Sequence, residues 1–368
     1  MNQQIYQQLI NGELQGKGAT LTRGCLRCLG ALYSGVARLR NTLYNHGILK
    51  THRVNAAVFS VGNLTAGGTG KTPLVVWLCQ QIARMNKAKS PLPALAILTR
   101  GYKTKAQGHN DEPALLAQAC PDVRIVVNSN RVNGANEAIT EHHAQILVLD
   151  DGFQHRRLGR DLDIVTVDAT CPFGYGHQLP AGLLREPASG LGRAQAVVLT
   201  RCDQVNAEAL AHTVADLHAI DPALVVARTQ HSPTRVYGPG IDLSAHQLAD
   251  KRIFAFCGLG NPEAFYCTLR NLGAHLVGTH SFDDHYHCTP DDVRRLNHQA
   301  TCVRADYVLT TEKNWFSLPE ENVTVTLPWG YLAVKLAFSA GEKELRQLIE
   351  TTLAGTIPTS PTPTKMRD

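Results

Sequence analysis

The sequence predicts an α/β protein. It would have a parallel sheet with helices on both faces, plus a smaller second α/β domain joined by a two-stranded β linker. Three observations carry this. A glycine-rich stretch, Thr65-Ala-Gly-Gly-Thr-Gly-Lys-Thr72, lies between a strand-like and a helix-like segment. Apolar runs of strand length alternate with helix-patterned stretches from residue 56 to about 217. The pattern then changes around 225–237, and a second alternation opens at 252.

The 368 residues are enough for two domains. Hydrophobic content of 43% and charged content of 18% are those of a folded globular chain. A net charge of +5 is a mild bias. It suits an anionic surface or substrate rather than nucleic acid. The ten cysteines show no paired zinc or disulfide framework, and Cys25 and Cys28 read as small hydrophobes. A reducing compartment follows. No secretory signal and no apolar run of transmembrane length is present.

Residues 1–18 are polar and weakly patterned. An amphipathic helix is expected over 21–44, where Leu26, Leu29, Leu32, Val36, Leu39 and Leu43 recur every three or four positions. Arg23, Arg27 and Arg38 fall largely on another face, with no acid after Glu13. Such a helix either lies in a membrane interface or packs on its own domain with its arginines in solvent.

Residues 56–61 are β-branched and apolar, fit for a buried strand. A helix is expected from Pro73, which suits a first turn. Between them Gly67, Gly68 and Gly70 let the amides of Thr65, Ala66, Thr69 and their neighbours curl around phosphate oxygens. The helix N-terminus adds its dipole. Lys71 would reach the β- and γ-phosphates, and the Thr72 hydroxyl would hold Mg²⁺. Thr65 stands where the usual pattern has its first Gly. The plainer alternative is a glycine-rich turn that happens to precede Lys-Thr.

Strands follow at 94–98 and 124–127, with helices from Ala114 and from Asn130. Gln145-Ile-Leu-Val-Leu-Asp150-Asp151-Gly-Phe-Gln-His155 is an apolar strand ending in two carboxylates. In a phosphate-loop fold that is where an Asp holds Mg²⁺, directly or through water. A cation there relieves the repulsion of adjacent like charges. Further strands are expected at 163–168 and 194–199. Thr200-Arg-Cys-Asp203 echoes a guanine-reading element, with Arg in its Lys position. Val225-Val-Ala-Arg-Thr-Gln and Thr234-Arg-Val-Tyr read as two short antiparallel strands joined by His231-Ser-Pro. A strand at 252–257 leads into Gly258-Leu-Gly-Asn-Pro262, and a helix runs from Pro262. His280-Ser-Phe-Asp-Asp-His-Tyr-His287 lacks coherent metal spacing and reads as a site loop. Residues 329–338 alternate and return to the linker ribbon. The Pro/Thr tail from about Gly355 reads as disordered.

Taken together, the chain resembles the tetraacyldisaccharide 4′-kinases, the lipid A 4′-kinases of Gram-negative bacteria. The stretches that carry the resemblance keep one order over about residues 55–315: Val61 to Pro73, Arg100-Gly-Tyr102, Asp111-Glu-Pro113, Asp150 to His155, Pro180-Ala-Gly-Leu-Leu-Arg-Glu-Pro187, Cys257 to Pro262, Phe282-Asp-Asp-His285 and Thr311-Glu-Lys313. Asn314 stands where the family usually has Asp, Leu184 falls at a variable position, and the tail has no family counterpart. The resemblance implies a P-loop kinase-like fold and phosphoryl transfer from ATP, with Mg²⁺, to the 4′-hydroxyl of a tetraacylated disaccharide 1-phosphate. It implies a peripheral enzyme on the cytosolic face of the inner membrane, and we expect a monomer.

The resemblance further implies that Glu186 joins Thr72 with Asp150 or Asp151 around the metal. Asp111 would be the general base and His285, from the second domain, its partner. Arg100, His155 and Arg185 would contact phosphate or substrate. The division expected is a membrane-associating segment at 1–50, a nucleotide-binding domain at 51–223, a ribbon at 224–240, the smaller domain at 241–326, a return strand and helix at 327–354, and the tail at 355–368. Two other readings are an ATP-dependent synthetase of dethiobiotin-synthetase type on a soluble substrate, and a nucleotide switch that docks at membranes without an acceptor.

Overall fold

The structure is a computed structural model. It describes residues 3–86, 94–101, 111–283, 286, 288–319 and 325–356. Two helices open the chain, α1 (Gln3–Ile10) and α2 (Lys17–Asn45). The first half then runs β1 (Ala57–Asn63), α3 (Lys71–Met85), β2 (Leu95–Thr99), α4 (Asp111–Ala119), β3 (Arg124–Val127), α5 (Arg131–His142), β4 (Ile146–Asp150), β5 (Leu162–Asp168), β6 (Ala196–Thr200) and α6 (Ala207–Ile220). The second half contains β7 (Val225–Gly238), β8 (Ile241–Ser244), β9 (Arg252–Cys257), α7 (Pro262–Asn271), β10 (His275–Ser281), α8 (Pro290–Cys302), β11 (Tyr307–Thr311), α9 (Glu312–Trp315), β12 (Trp329–Ala340) and α10 (Glu342–Thr356).

One sheet runs through both halves in the order β10-β9-β11-β12-β7-β6-β5-β1-β4-β2-β3, with β8 on β7. Every pairing is parallel except β7 with β12 and β7 with β8. Strands β1, β4, β5 and β6 are buried along their whole length, as strands covered on both faces must be. Their period of two splits the core. Ala57, Phe59 and Val61 of β1 face the layer holding α3 and the C-terminal helix α10, through Leu74, Leu78, Leu345 and Ile349. Val58 faces the opposite layer with Ala135 and Ala138 of α5. In the second half, Ile253 and Ala255 pack on α7, whereas Phe254 and Phe256 pack on Val293 and Leu296 of α8.

The expected hairpin at 225–237 is replaced by a single strand. β7 passes straight through His231-Ser-Pro233 and pairs antiparallel with β12, as the return strand was expected to do. The register slips between Ala333 and Val334, opposite Arg235 and Pro233, so the strand carries the proline at a bulge. The polar opening segment contains a helix, α1, and β10 and α8 occupy a stretch that periodicity left unassigned. Residues 357–368, most of the Pro/Thr tail, lie outside the described residues.

Helix α2 presents its small and polar face to the protein. Gly30 packs so closely that an added Cβ would meet the Ala181 Cβ and Gln178 O at 3.2 Å. The apolar stripe largely faces outward: Leu29, Leu32, Val36 and Leu39 are 54%, 70%, 61% and 61% exposed.

Candidate active site

Strand β1 delivers the chain into the glycine-rich loop, and α3 leaves it at Lys71. Gly67 (φ 114°) and Gly70 (φ 82°) take left-handed backbone that L side chains rarely adopt. Gly70 has a second constraint, because a Cβ there would come within 3.1 Å of His231 Nε2 and 3.2 Å of Thr200 Cγ2. The loop is braced from outside. Asn63 Nδ2 donates to the Thr65 carbonyl at 2.6 Å. Arg201 donates to the Gly68 carbonyl at 2.8 Å, and the Thr200 hydroxyl to the Thr69 carbonyl at 3.0 Å. The Ala66 amide donates to the Leu183 carbonyl at 2.7 Å. The Thr69 and Thr166 hydroxyls lie 2.8 Å apart. Tying carbonyls outward in this way favours amides that face a phosphate.

Arg201 is the clearest residue that the motif reading missed. It sits in the stretch read as an echo of base recognition, yet it is buried, ion-paired with Asp168 and aimed at the loop backbone. The available signal was positional: Asp168 and Thr200 both end strands on the β5 side of β1.

On the other side of β1, Val61 pairs with Asp150, the last residue of β4, which sets Asp150 and the Asp151 that follows it beside the loop. Asp150 is buried, and its carbonyl accepts a hydrogen bond from Arg131 at 2.9 Å. Asp151 takes a left-handed φ of 54°, and its side chain meets two cations. Lys71 Nζ lies 3.5 Å away, and Arg185 Nη1 donates to both oxygens at 2.8 and 3.0 Å. Burial alone would raise this carboxyl, but Lys71 and Arg185 together outweigh it and hold it below the ordinary carboxylate range.

Glu186 is buried and accepts hydrogen bonds from Arg193 at 2.7 Å, Asn41 of α2 at 3.1 Å and Gln154 at 3.2 Å. Gln154 also accepts from Arg185 at 3.3 Å, so Glu186 and Asp151 share one network. Helix α2 enters the network again where the Tyr33 hydroxyl donates to the Arg185 carbonyl at 2.8 Å. Thr72 is the second residue of α3. Thr72, Asp150, Asp151 and Glu186 offer only hard oxygen ligands, the donor set that suits Mg²⁺.

His155 follows the same turn. Burial, with Arg131, Arg160, Arg40 and Arg157 around it, pushes its imidazole down to about 4, so it is neutral near pH 7. Its Nε2 has no hydrogen-bond partner among the described residues. Arg100 is exposed just beyond the end of β2. Asp111 begins α4, and only its backbone is described. His285 lies outside the described residues. Asn314, the departure from the family pattern, is buried and accepts from the Gly258 amide at 2.9 Å. It therefore fixes the turn at 258–262.

That turn comes up against the loop, and a cleft of about 420 Å³ lies between them. Its walls include Gly68, Thr69, Asp168, Tyr175, Asn261 and Gln7. The arrangement offers loop amides, a lysine, paired carboxylates and a cleft lined by the loop residues Thr65 to Thr69, which is the equipment of phosphoryl transfer.

Comparison with known proteins gives the same answer. Residues 22–354 match the family model for tetraacyldisaccharide-1-P 4′-kinase. A tetraacyldisaccharide 4′-kinase of Halothermothrix orenii is 34% identical over 329 residues, covering 81% of this chain and 83% of that one. Its counterpart in Anaeromyxobacter sp. strain Fw109-5 is 38% identical over 329 residues, covering 84% and 86%. The crystal structure of LpxK from Aquifex aeolicus in complex with ATP superposes with a TM-score of 0.66 at 28% identity, covering 90% of this chain and 99% of that one.

Proposed function

The chain belongs to the tetraacyldisaccharide 4′-kinase family, and from that premise we propose how its residues divide the reaction. It is an ATP-dependent phosphotransferase with an alcohol group as acceptor. It phosphorylates the 4′-hydroxyl of tetraacyldisaccharide 1-phosphate in lipid A biosynthesis, giving the bis-phosphorylated precursor, lipid IVA. The synthetase alternative is not favoured.

The observation that carries the site assignment is the Lys71–Asp151–Arg185 cluster at the mouth of the strand–loop–helix unit. The loop from Thr65 to Gly70 and the Lys71 ammonium hold the ATP phosphates. Thr72, Asp150 or Asp151, and Glu186 would hold Mg²⁺, which supplies neutralisation of charge developing between the β- and γ-oxygens. Arg185 releases part of its hold on Asp151 to meet a phosphate oxygen, and Arg100 contacts phosphate from the end of β2. The neutral His155 contributes a hydrogen bond to the substrate rather than a charge. Asp111 takes the proton of the 4′-hydroxyl as that oxygen bonds to the γ-phosphorus and the bond to the bridging oxygen of ADP breaks. His285 pairs with Asp111 and tunes its basicity. In this reading residues 51–223 bind the nucleotide, and 241–326 close over it to exclude water.

The enzyme works as a monomer at the cytosolic face of the inner membrane; the outward apolar face of α2 supports the membrane contact alone. No helix among the described residues is long and apolar enough to cross a membrane. Substrate acyl chains stay in the bilayer while the headgroup enters the cleft.

The test is transfer of ³²P from γ-labelled ATP to tetraacyldisaccharide 1-phosphate in detergent micelles with Mg²⁺. Wild-type protein should label the lipid. Lys71→Ala should lose at least about a hundredfold in turnover, since charge stabilisation at the transferring phosphoryl group is the main catalytic device. Asp111→Ala should lose turnover yet still bind ATP. Full turnover in Asp111→Ala would remove it as the base.

A further inference from the structure

Helix α1 lies outside the stretch that the family model matches, 22–354, yet it reaches the nucleotide cleft. It is anchored by buried Leu9 and Ile10 and by Arg23 of α2, which donates to the Leu9 carbonyl at 3.5 Å and, just past the helix, to the Leu14 carbonyl at 2.7 Å. Two successive residues then hold opposite sides of the cleft. The Tyr6 hydroxyl donates to the Pro180 carbonyl at 2.9 Å, in the segment that braces the phosphate loop through Leu183. Gln7 Nε2 donates to the Gly260 carbonyl at 2.7 Å.

Gly260 is the point where the second half meets the loop, since a Cβ added there would stand 2.8 Å from Gly67 Cα and 3.1 Å from the Gly68 amide nitrogen. A small shift of this turn therefore alters the room above the phosphate-binding glycines. Gln7 also forms the wall shared by this cleft and a second cavity of about 240 Å³ beside Leu259, His280 and Phe282.

We infer that Gln7 is a positioning residue for the phosphoryl transfer: from α1 it holds the turn at 258–262 against the phosphate loop and thereby sets the affinity for ATP. α1 is then a strap across the cleft, tied at Tyr6 to the nucleotide half and at Gln7 to the other half. The inference rests on the cleft being the ATP site.

The experiment uses the full chain with Gln7→Ala and Gln7→Glu. The second keeps the length of the side chain, but a carboxylate has no proton to donate to a carbonyl. In both, the KM for ATP and the Kd of a fluorescent ATP analogue should rise about three- to tenfold, the effect of one partly buried hydrogen bond. The KM for the lipid acceptor and the Tm should stay unchanged, and amide hydrogen exchange over 258–262 should quicken. A merely structural contact would lower Tm and leave the ATP affinity alone. Unchanged ATP affinity in both variants, or unchanged exchange at 258–262, overturns the inference. Failure of the kinase reading is separate: it would appear as wild-type protein that binds the analogue but labels no lipid, and the analogue still tests Gln7.

Discussion

Gly70 cannot be replaced cheaply, for two independent reasons. Its φ of 82° strains any L side chain, and the space for a Cβ is closed by His231 Nε2 at 3.1 Å and Thr200 at 3.2 Å. Gly70→Ala is therefore expected to weaken ATP binding at least about tenfold, of the order of one or two strain contributions of 1–3 kcal/mol. Isothermal titration with ATP and Mg²⁺ would measure it, and unchanged affinity would mean that the loop relaxes. Asn41 acts at one remove. It donates to a Glu186 oxygen at 3.1 Å from a helix far away in sequence. Where a carboxylate binds metal, as proposed for Glu186, removing its outer partner typically weakens metal affinity by about tenfold or more. Asn41→Ala should thus raise the Mg²⁺ concentration for half-maximal turnover by about tenfold, and an unchanged requirement would argue against Glu186 as a ligand.

Helix α2 presents two unlike faces. Its inner face, with Gly30, Tyr33 and Asn41, is joined to the site by close packing and hydrogen bonds. Its outer face carries exposed Leu29, Leu32, Val36 and Leu39, each able to contribute about 1.5–3 kcal/mol when taken out of water. Glutamates at Leu32 and Val36 together should cut binding to phosphatidylglycerol vesicles more than about tenfold. Thermal stability should be unaffected, because both positions are more than 60% exposed. Sedimentation with vesicles would check it, and full binding by the double variant would argue against this face as a membrane contact. The amphipathic repeat of this element was readable in the chain. Which face it turns inward was not, because an apolar stripe favours burial against protein or lipid alike.

Across the described residues, three imidazoles are held low, His280 among them, and the two pushed furthest tie stability to pH. His155 and His231 are both pushed down to about 4, in each case first by burial and then by neighbouring arginines, Arg131 foremost for His155 and Arg201 for His231. Their folded values lie below the unfolded one of about 6.5. Between about pH 4 and 6.5 the unfolded chain therefore binds more protons, and stability falls as pH falls through that window. Above it the two groups contribute nothing. Asp151, held low by Lys71 and Arg185 against its burial, adds a loss only below the ordinary carboxylate range near 4. Calorimetry should show Tm dropping by several degrees from pH 7 to pH 5. His231→Gln should flatten that slope, and an equal slope in this variant would exclude His231 as a source.

Local chemistry determined much of this protein by itself. The Gly-rich run before Lys71-Thr72, the carboxylates ending an apolar strand and the alternation of strand and helix each need only near neighbours in sequence, so the parallel sheet and the glycine-rich strand-to-helix turn were legible. Tertiary structure decided what depends on distant partners. Pro233 looked like a turn, yet β12 carries it through as a strand with a bulge. Arg201 looked like a weak base-reading motif, yet Asp168 and the Gly68 carbonyl claim it. The polar N-terminal segment had too little periodicity to announce a helix, and its contacts with Pro180 and Gly260 join residues 174 and 253 positions apart, so they exist only once the intervening chain has folded. Side-chain identity fixed the local geometry, whereas these roles depended on which groups the closed sheet brought within hydrogen-bond reach.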